Sequence, residues 1–228
     1  EREARAASLL NHPNVVTVYD VGREGDVQYI ATELVEGETL RQRVEHGPMT
    51  SLEVVEVGCA VASALEAAHE AWLVHRDVKP ENIAIRKDAV VKVLDFGVSA
   101  LSGDGDATDP IRRPGALVGT LHYLSPEQVR GEAIIDHRSD IYSFGVVLYE
   151  MLAGRVPFTG NNVMAVLAQI VERTPDPLPP FVPDALRDLV MQCLHKDLYA
   201  RPQTAAEALQ RLQDVRLDLL IRERSRTA

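Results

Sequence analysis

The sequence predicts an α+β fold, with a small sheet-bearing front end followed by a larger, mainly helical lobe. Three observations predict it. The β-rich runs lie at the front of the chain, ending at Leu94. From Glu127 onward the apolar residues recur at helical spacing. With 46% hydrophobic residues in 228 positions, the chain is long and apolar enough to bury one real core.

Residues 1–10, rich in Glu, Arg, Ala and Leu, read as the body of a helix with no start signal. Val15–Tyr19 and Val27–Ala31 are short β-rich runs separated by Gly22 and Gly25, which predicts a hairpin. A short helix is expected over Glu38–Glu45, after Gly37. Thr50 and Glu53 have the spacing of a capping box and open a long helix running to about Trp72. Ile83–Ile85 and Val90–Leu94 flank Lys87-Asp88 and predict a second small hairpin. Residues 102–115, rich in Gly and Asp, have neither periodicity and read as a loop. The dense apolar content of Asp140–Leu152 predicts a buried central helix. Asn161–Val171, Asp184–Leu194 and Thr204–Leu220 complete the list as amphipathic helices.

Composition excludes several classes. A formal charge of −10 without a basic block argues against a nucleic-acid ligand. Cys59 and Cys193 are isolated and read as buried thiols of a reducing compartment. No run approaches the roughly 18 apolar residues of a membrane span. A cytoplasmic location without membrane contact by this segment is therefore expected, with a longer, membrane-anchored parent left open.

The chemistry concentrates in two short motifs. Residues 75–82 read His-Arg-Asp-Val-Lys-Pro-Glu-Asn, and Asp95-Phe96-Gly97 begins thirteen positions after Asn82. Together they offer a carboxylate to accept a proton, an ammonium to meet a phosphate, and an amide and a second carboxylate to hold a hard metal ion. Asp77 alone would read as an ordinary turn residue. Lys79 and Asn82, two and five positions later, make that reading hard to sustain. Ser125-Pro126-Glu127 follows thirty residues further on.

With these motifs in this order, the chain resembles a eukaryotic-type (Hanks-type) serine/threonine protein kinase. Tyr123–Gln128 and Asp136–Ser143 look most like bacterial members. The resemblance implies a protein-kinase-like fold, the cofactors ATP and Mg²⁺, and protein substrates bearing Ser or Thr. It makes Asp77 the residue that orients the hydroxyl and accepts its proton, Lys79 the γ-phosphate contact, and Asn82 and Asp95 the magnesium ligands. Phe96 would pack behind the site near a structural His75, and Gly97 would give the following loop its freedom. Arg76 would pair with a phosphate added to the activation segment, which spans Asp95 to Glu127. Within that segment Thr120 would bridge the catalytic Asp and Lys. Thr108 is the candidate phosphorylation site, with an idle linker threonine as the alternative. Glu127 would pair with Arg201, and Asp140 would brace the catalytic loop. For the nucleotide, the resemblance makes Thr32 the gatekeeper. The Glu33 carbonyl and Val35 amide would hold the adenine edge, and Ala84 and Leu94 would lie beneath or beyond the base. Glu3 matches the small-lobe helical glutamate.

One departure stands out. No lysine precedes Lys79 and no glycine precedes Gly22, so the glycine-rich loop and the strand-three lysine of the family are not in this sequence. The expectation is a partial domain, a fragment or truncated product that is weak or inactive alone. Residues 1–34 would be a small-lobe remnant, 35–222 the large lobe and 223–228 a tail. A non-catalytic kinase-like interaction module is the alternative, and dimerisation stays open.

Overall fold

The computed structural model describes residues 10–25, 27–96, 120–133 and 135–227. Strands β1 (Val18–Glu24) and β2 (Val27–Thr32) form an antiparallel hairpin. Gly25 turns it with φ +61°, a conformation glycine adopts at no steric cost. Gly22, read from the sequence as a second breaker, instead lies inside β1. A Cβ there would stand 2.4 Å from the Tyr29 ring, so the glycine makes room for its cross-strand neighbour. Val15 and Val16 do not enter the hairpin. Val16 N–H donates to Val93 O at 2.9 Å, and Val93 N–H donates to Asn14 O at 2.8 Å.

Strands β3 (Gly37–Thr39), β4 (Ile83–Arg86) and β5 (Val91–Val93) form a second, antiparallel sheet in that order. Helix α1 (Leu40–Glu45) therefore begins two residues later than the sequence reading expects. Residues 37–39 satisfy their backbone on β4, and Thr39 then caps α1 in a capping box with Gln42. Helix α2 (Ser51–Glu70) is capped by Thr50 and Glu53 in the same way. It stops short of Trp72, whose φ of 61° departs from the helix.

The helical lobe adds α3 (Pro126–Arg130), α4 (His137–Ala153), α5 (Val163–Glu172), α6 (Asp184–Cys193) and α7 (Ala205–Thr227). Every residue from Ser139 to Leu152 of α4 is buried, so this helix is the axis of the core. Gly145 lets α6 approach it: a Cβ there would lie 2.6 Å from Cys193 Cβ. Helix α2 packs against α4 and α7, carrying Val54, Val61 and Leu65 into the same cluster. Among the described residues no helix is long and apolar enough to cross a membrane.

Candidate active site

The catalytic-loop motif follows α2 and runs into β4, so the loop is pinned at both ends. Its first residues are held by α4. Asp140, fully buried, accepts the His75 amide on Oδ2 and the Arg76 amide on Oδ1, both at 2.8 Å. His69 Nε2 donates to the same Oδ2 at 2.9 Å. Arg76 can then take φ +65°, and its carbonyl accepts Gln128 Nε2 at 3.0 Å. A carboxylate buried in helix α4 thus fixes two consecutive loop amides that no strand satisfies.

The side chains converge one turn later. Lys79 Nζ lies 2.7 Å from Asp77 Oδ2. Asn82 Nδ2 donates to Asp77 O at 2.8 Å and to Asp77 Oδ2 at 3.1 Å. Asp77 keeps 37% of its side chain exposed, so this carboxylate remains open to a substrate.

The residue before Asp95 is tied to the same loop. Leu94 N–H donates to Asn82 O at 2.8 Å, and His75 Nε2 donates to Leu94 O at 2.9 Å. His75 Nδ1 accepts the Asp77 amide at 3.3 Å, so both ring nitrogens are used and the imidazole is a spacer. Its ring packs on Phe96 with centroids 4.6 Å apart. Asp95 itself has φ +60°, a strained conformation for a non-glycine residue, and it is exposed.

Glu33 links the two sheets. Its Oε1 accepts Lys92 Nζ at 2.7 Å and the Thr17 amide at 2.8 Å, while its own amide donates to Thr17 O at 2.9 Å. Burial pushes its pKa up, but the Lys92 and Thr17 hydrogen bonds prevail and hold it below the usual carboxylate value. Lys92 also donates to Val15 O at 3.1 Å. Among the described residues neither the Glu33 carbonyl nor the Val35 amide is engaged in a hydrogen bond. Ala84 pairs with Lys92 across the β4–β5 ladder and is buried, whereas Thr32 is exposed.

Beneath the site, Arg201 and Glu127 form a buried, two-pronged pair at 2.8 and 2.9 Å. Ser139 Oγ adds a hydrogen bond to Glu127 at 2.5 Å. Thr120 opens a short 3-10 turn, Thr120–Tyr123, that leads towards α3. Glu3, Gly97 and Thr108 lie outside the described residues.

The protein kinase domain family matches residues 1–212. The chain belongs to that family. Three bacterial relatives of this kinase domain carry the same theme in their names. The protein named "Probable serine/threonine-protein kinase" in Clostridium perfringens is 40% identical over 222 residues, covering 96% of this chain and 32% of that protein. Serine/threonine-protein kinase PrkC of Bacillus subtilis is 39% identical over 211 residues, 90% of this chain and 32% of its own length. Serine/threonine-protein kinase PknB of Mycolicibacterium smegmatis is 44% identical over 217 residues, 90% of this chain and 34% of its own length. The kinase domain described here thus spans about a third of the length of the curated relatives it matches.

Four participants escaped the sequence reading: Lys92, Arg41, Tyr123 and Glu150. Lys92 had a signal, being the single charge in the apolar run Val90–Leu94, and Glu150 is likewise an acid in the apolar stretch of α4. Arg41 and Tyr123 had none, because their partners lie 27 to 109 positions away.

Proposed function

We propose that this domain transfers the γ-phosphoryl group of ATP to a serine or threonine hydroxyl of a protein substrate. The observation that carries the reading is the meeting of Asp77, Lys79 and Asn82 at 2.7–3.1 Å, tied through Asn82 to the residue before Asp95.

The donor set fits a nucleotide with magnesium. Asn82 commits its Nδ2 to Asp77, which leaves Oδ1 without a hydrogen bond among the described residues and free for a hard cation. Among the described residues no group of three His, Cys, Asp or Glu side chains is built to hold a metal. One amide and one carboxylate, Asn82 and Asp95, would share the ion with phosphate oxygens, as Mg²⁺ accepts. ATP with Mg²⁺, when bound, supplies the phosphoryl group and neutralises its oxygens.

Asp77 orients the substrate hydroxyl and accepts its proton, and Lys79 meets the phosphate as a compact cation. Thr120 is assigned the bridge between these two. Asp140, His75 and the Glu127–Arg201 pair hold the loop and do no chemistry. At the other end of the nucleotide, the uncommitted Glu33 carbonyl and Val35 amide receive the adenine edge, beside Thr32 and above Ala84 and Leu94. Residues 1–34 belong to the small lobe and 35–222 to the large one. The test is transfer of labelled γ-phosphate from ATP to a Ser/Thr protein by the full-length protein with Mg²⁺. Transfer should disappear in Asp77→Asn while ATP binding persists; equal transfer by both proteins would refute the reading.

A further inference from the structure

We propose that Arg41 sets the substrate preference of this site by filling, from within the chain, an acidic recess that would otherwise take a basic side chain of the protein substrate. The inference rests on the kinase reading and deepens it.

Arg41 belongs to α1, the helix that follows the segment assigned to the adenine edge. Its Nε donates to Glu81 at 2.8 Å and its Nη1 to Glu150 at 2.8 Å, while Nη2 meets the Tyr123 hydroxyl. These partners come from three places that surround the reacting end of the site. Glu81 stands in the catalytic loop between Lys79 and Asn82, with 43% of its side chain exposed. Glu150 rises from the central helix with only 7% exposed. Tyr123 ends the 3-10 turn that begins at Thr120, and its hydroxyl donates to Glu150 at 2.5 Å.

Two carboxylates from separate elements therefore converge beside the catalytic loop on one guanidinium, which belongs to the protein itself. Burial disfavours the charge on Arg41, but its hydrogen bonds to Glu150 and Glu81 prevail and hold its pKa above the ordinary guanidinium value. A substrate arginine approaching Glu81 would meet a cation already in place, and like charges in one recess repel. Without Arg41, an exposed carboxylate and a buried one would face the substrate with the geometry that a guanidinium fork matches. The residue thus acts by exclusion. It makes the site prefer a neutral or acidic side chain at the position that reaches Glu81.

The test uses the full-length protein with two labelled peptide series, identical except for arginine or alanine at successive positions around one serine. The wild type should phosphorylate the arginine series no better than the alanine series, and less well at the position that reaches Glu81. Arg41→Ala should favour arginine at one position by roughly tenfold in kcat/KM, the worth of one charge-assisted hydrogen bond. Adding Glu81→Gln should abolish that gain. Fluorescence anisotropy with the same peptides reads the preference as affinity, with no phosphate transfer needed. A wild type inactive on every peptide would refute the kinase reading, while anisotropy would still decide the role of Arg41. Should thermal unfolding show Arg41→Ala to be unfolded, Arg41→Gln keeps a donor for Glu150 and takes its place. Arginine preference already as strong in the wild type, or no gain in a folded variant, overturns the proposal.

Discussion

Arg201 grips both carboxylate oxygens of Glu127, at 2.8 and 2.9 Å, with its guanidinium wholly buried. The remaining donors are also spent, on the carbonyls of His195, Arg138 and Lys196 at 2.8, 2.9 and 3.2 Å. All five N–H groups of the guanidinium are therefore satisfied without water. Three stretches of chain are tied together: α3, the start of α4 and the loop before α7.

Removing one partner strands the other charge in the core. Arg201→Met should lower the unfolding free energy by about 3–5 kcal/mol in denaturant titration. The pair also sets a pH response. Burial pushes the Glu127 carboxyl up, but Arg201 and Ser139 pull it below its ordinary value of 4.5. A depressed folded pKa contributes stability above the unfolded value that is lost as pH falls through the folded one. Wild-type stability should therefore decline below pH 4.5 more steeply than that of Glu127→Gln. Parallel acid curves for the two proteins would contradict this.

Glu53 offers a second, surface titration. It accepts Arg43 Nη2 at 2.8 Å and the Thr50 amide at 2.9 Å, and these bonds hold its pKa at about 2. The sign is the same, with stabilisation fading from about pH 4.5 downward, and a carboxyl-carbon NMR titration should find the midpoint near 2. Thr50→Ala removes the cap of α2 and should cost about 1 kcal/mol in thermal or chemical unfolding.

Lys92 ties Glu33, in the segment proposed above to meet the adenine edge, to strand β5. Lys92→Met would leave Glu33 half-buried with only the Thr17 amide as partner. The expected cost is about 1–3 kcal/mol of stability. In the full-length protein the KM for ATP should rise more than kcat falls, because the damage lies at the base rather than at the phosphate. Steady-state kinetics at varied ATP checks the split, and a pure kcat defect would contradict it.

Asp77 should behave differently from its supports. Asp77→Asn is expected to lower kcat by roughly 10²–10⁴-fold, the usual contribution of a positioned base, with little loss of stability. Asp140→Ala, which orphans the His75 and Arg76 amides and His69, should unfold the loop and lower thermal stability as well as kcat. Equal melting temperatures for Asp140→Ala and wild type would show that the loop stands without its brace.

How much was legible in the sequence depended on how far apart the partners lie in the chain. Asp77, Lys79 and Asn82 fall within six residues, so their spacing alone put them on one loop. The long helix from Thr50 and the hairpin at Lys87-Asp88 were equally local, since a cap and a turn are decided by adjacent residues. Boundaries slipped where tertiary pairing intervened. Gly37–Thr39 read as the edge of a helix but is taken by β4, and Gly22 read as a turn but admits the Tyr29 ring.

By itself the sequence determined the chemical inventory: which acid, ammonium, amide and second carboxylate stand in two neighbouring motifs, and which segments have the period of helix or strand. Only the tertiary structure decided that Lys92 clasps Glu33 across 59 positions and that Arg41 reaches Glu150 across 109. Local spacing is set by covalent geometry and can be read residue by residue. An ion pair between distant segments exists only after the hydrophobic core has brought their elements together, so no pattern in the chain announces it.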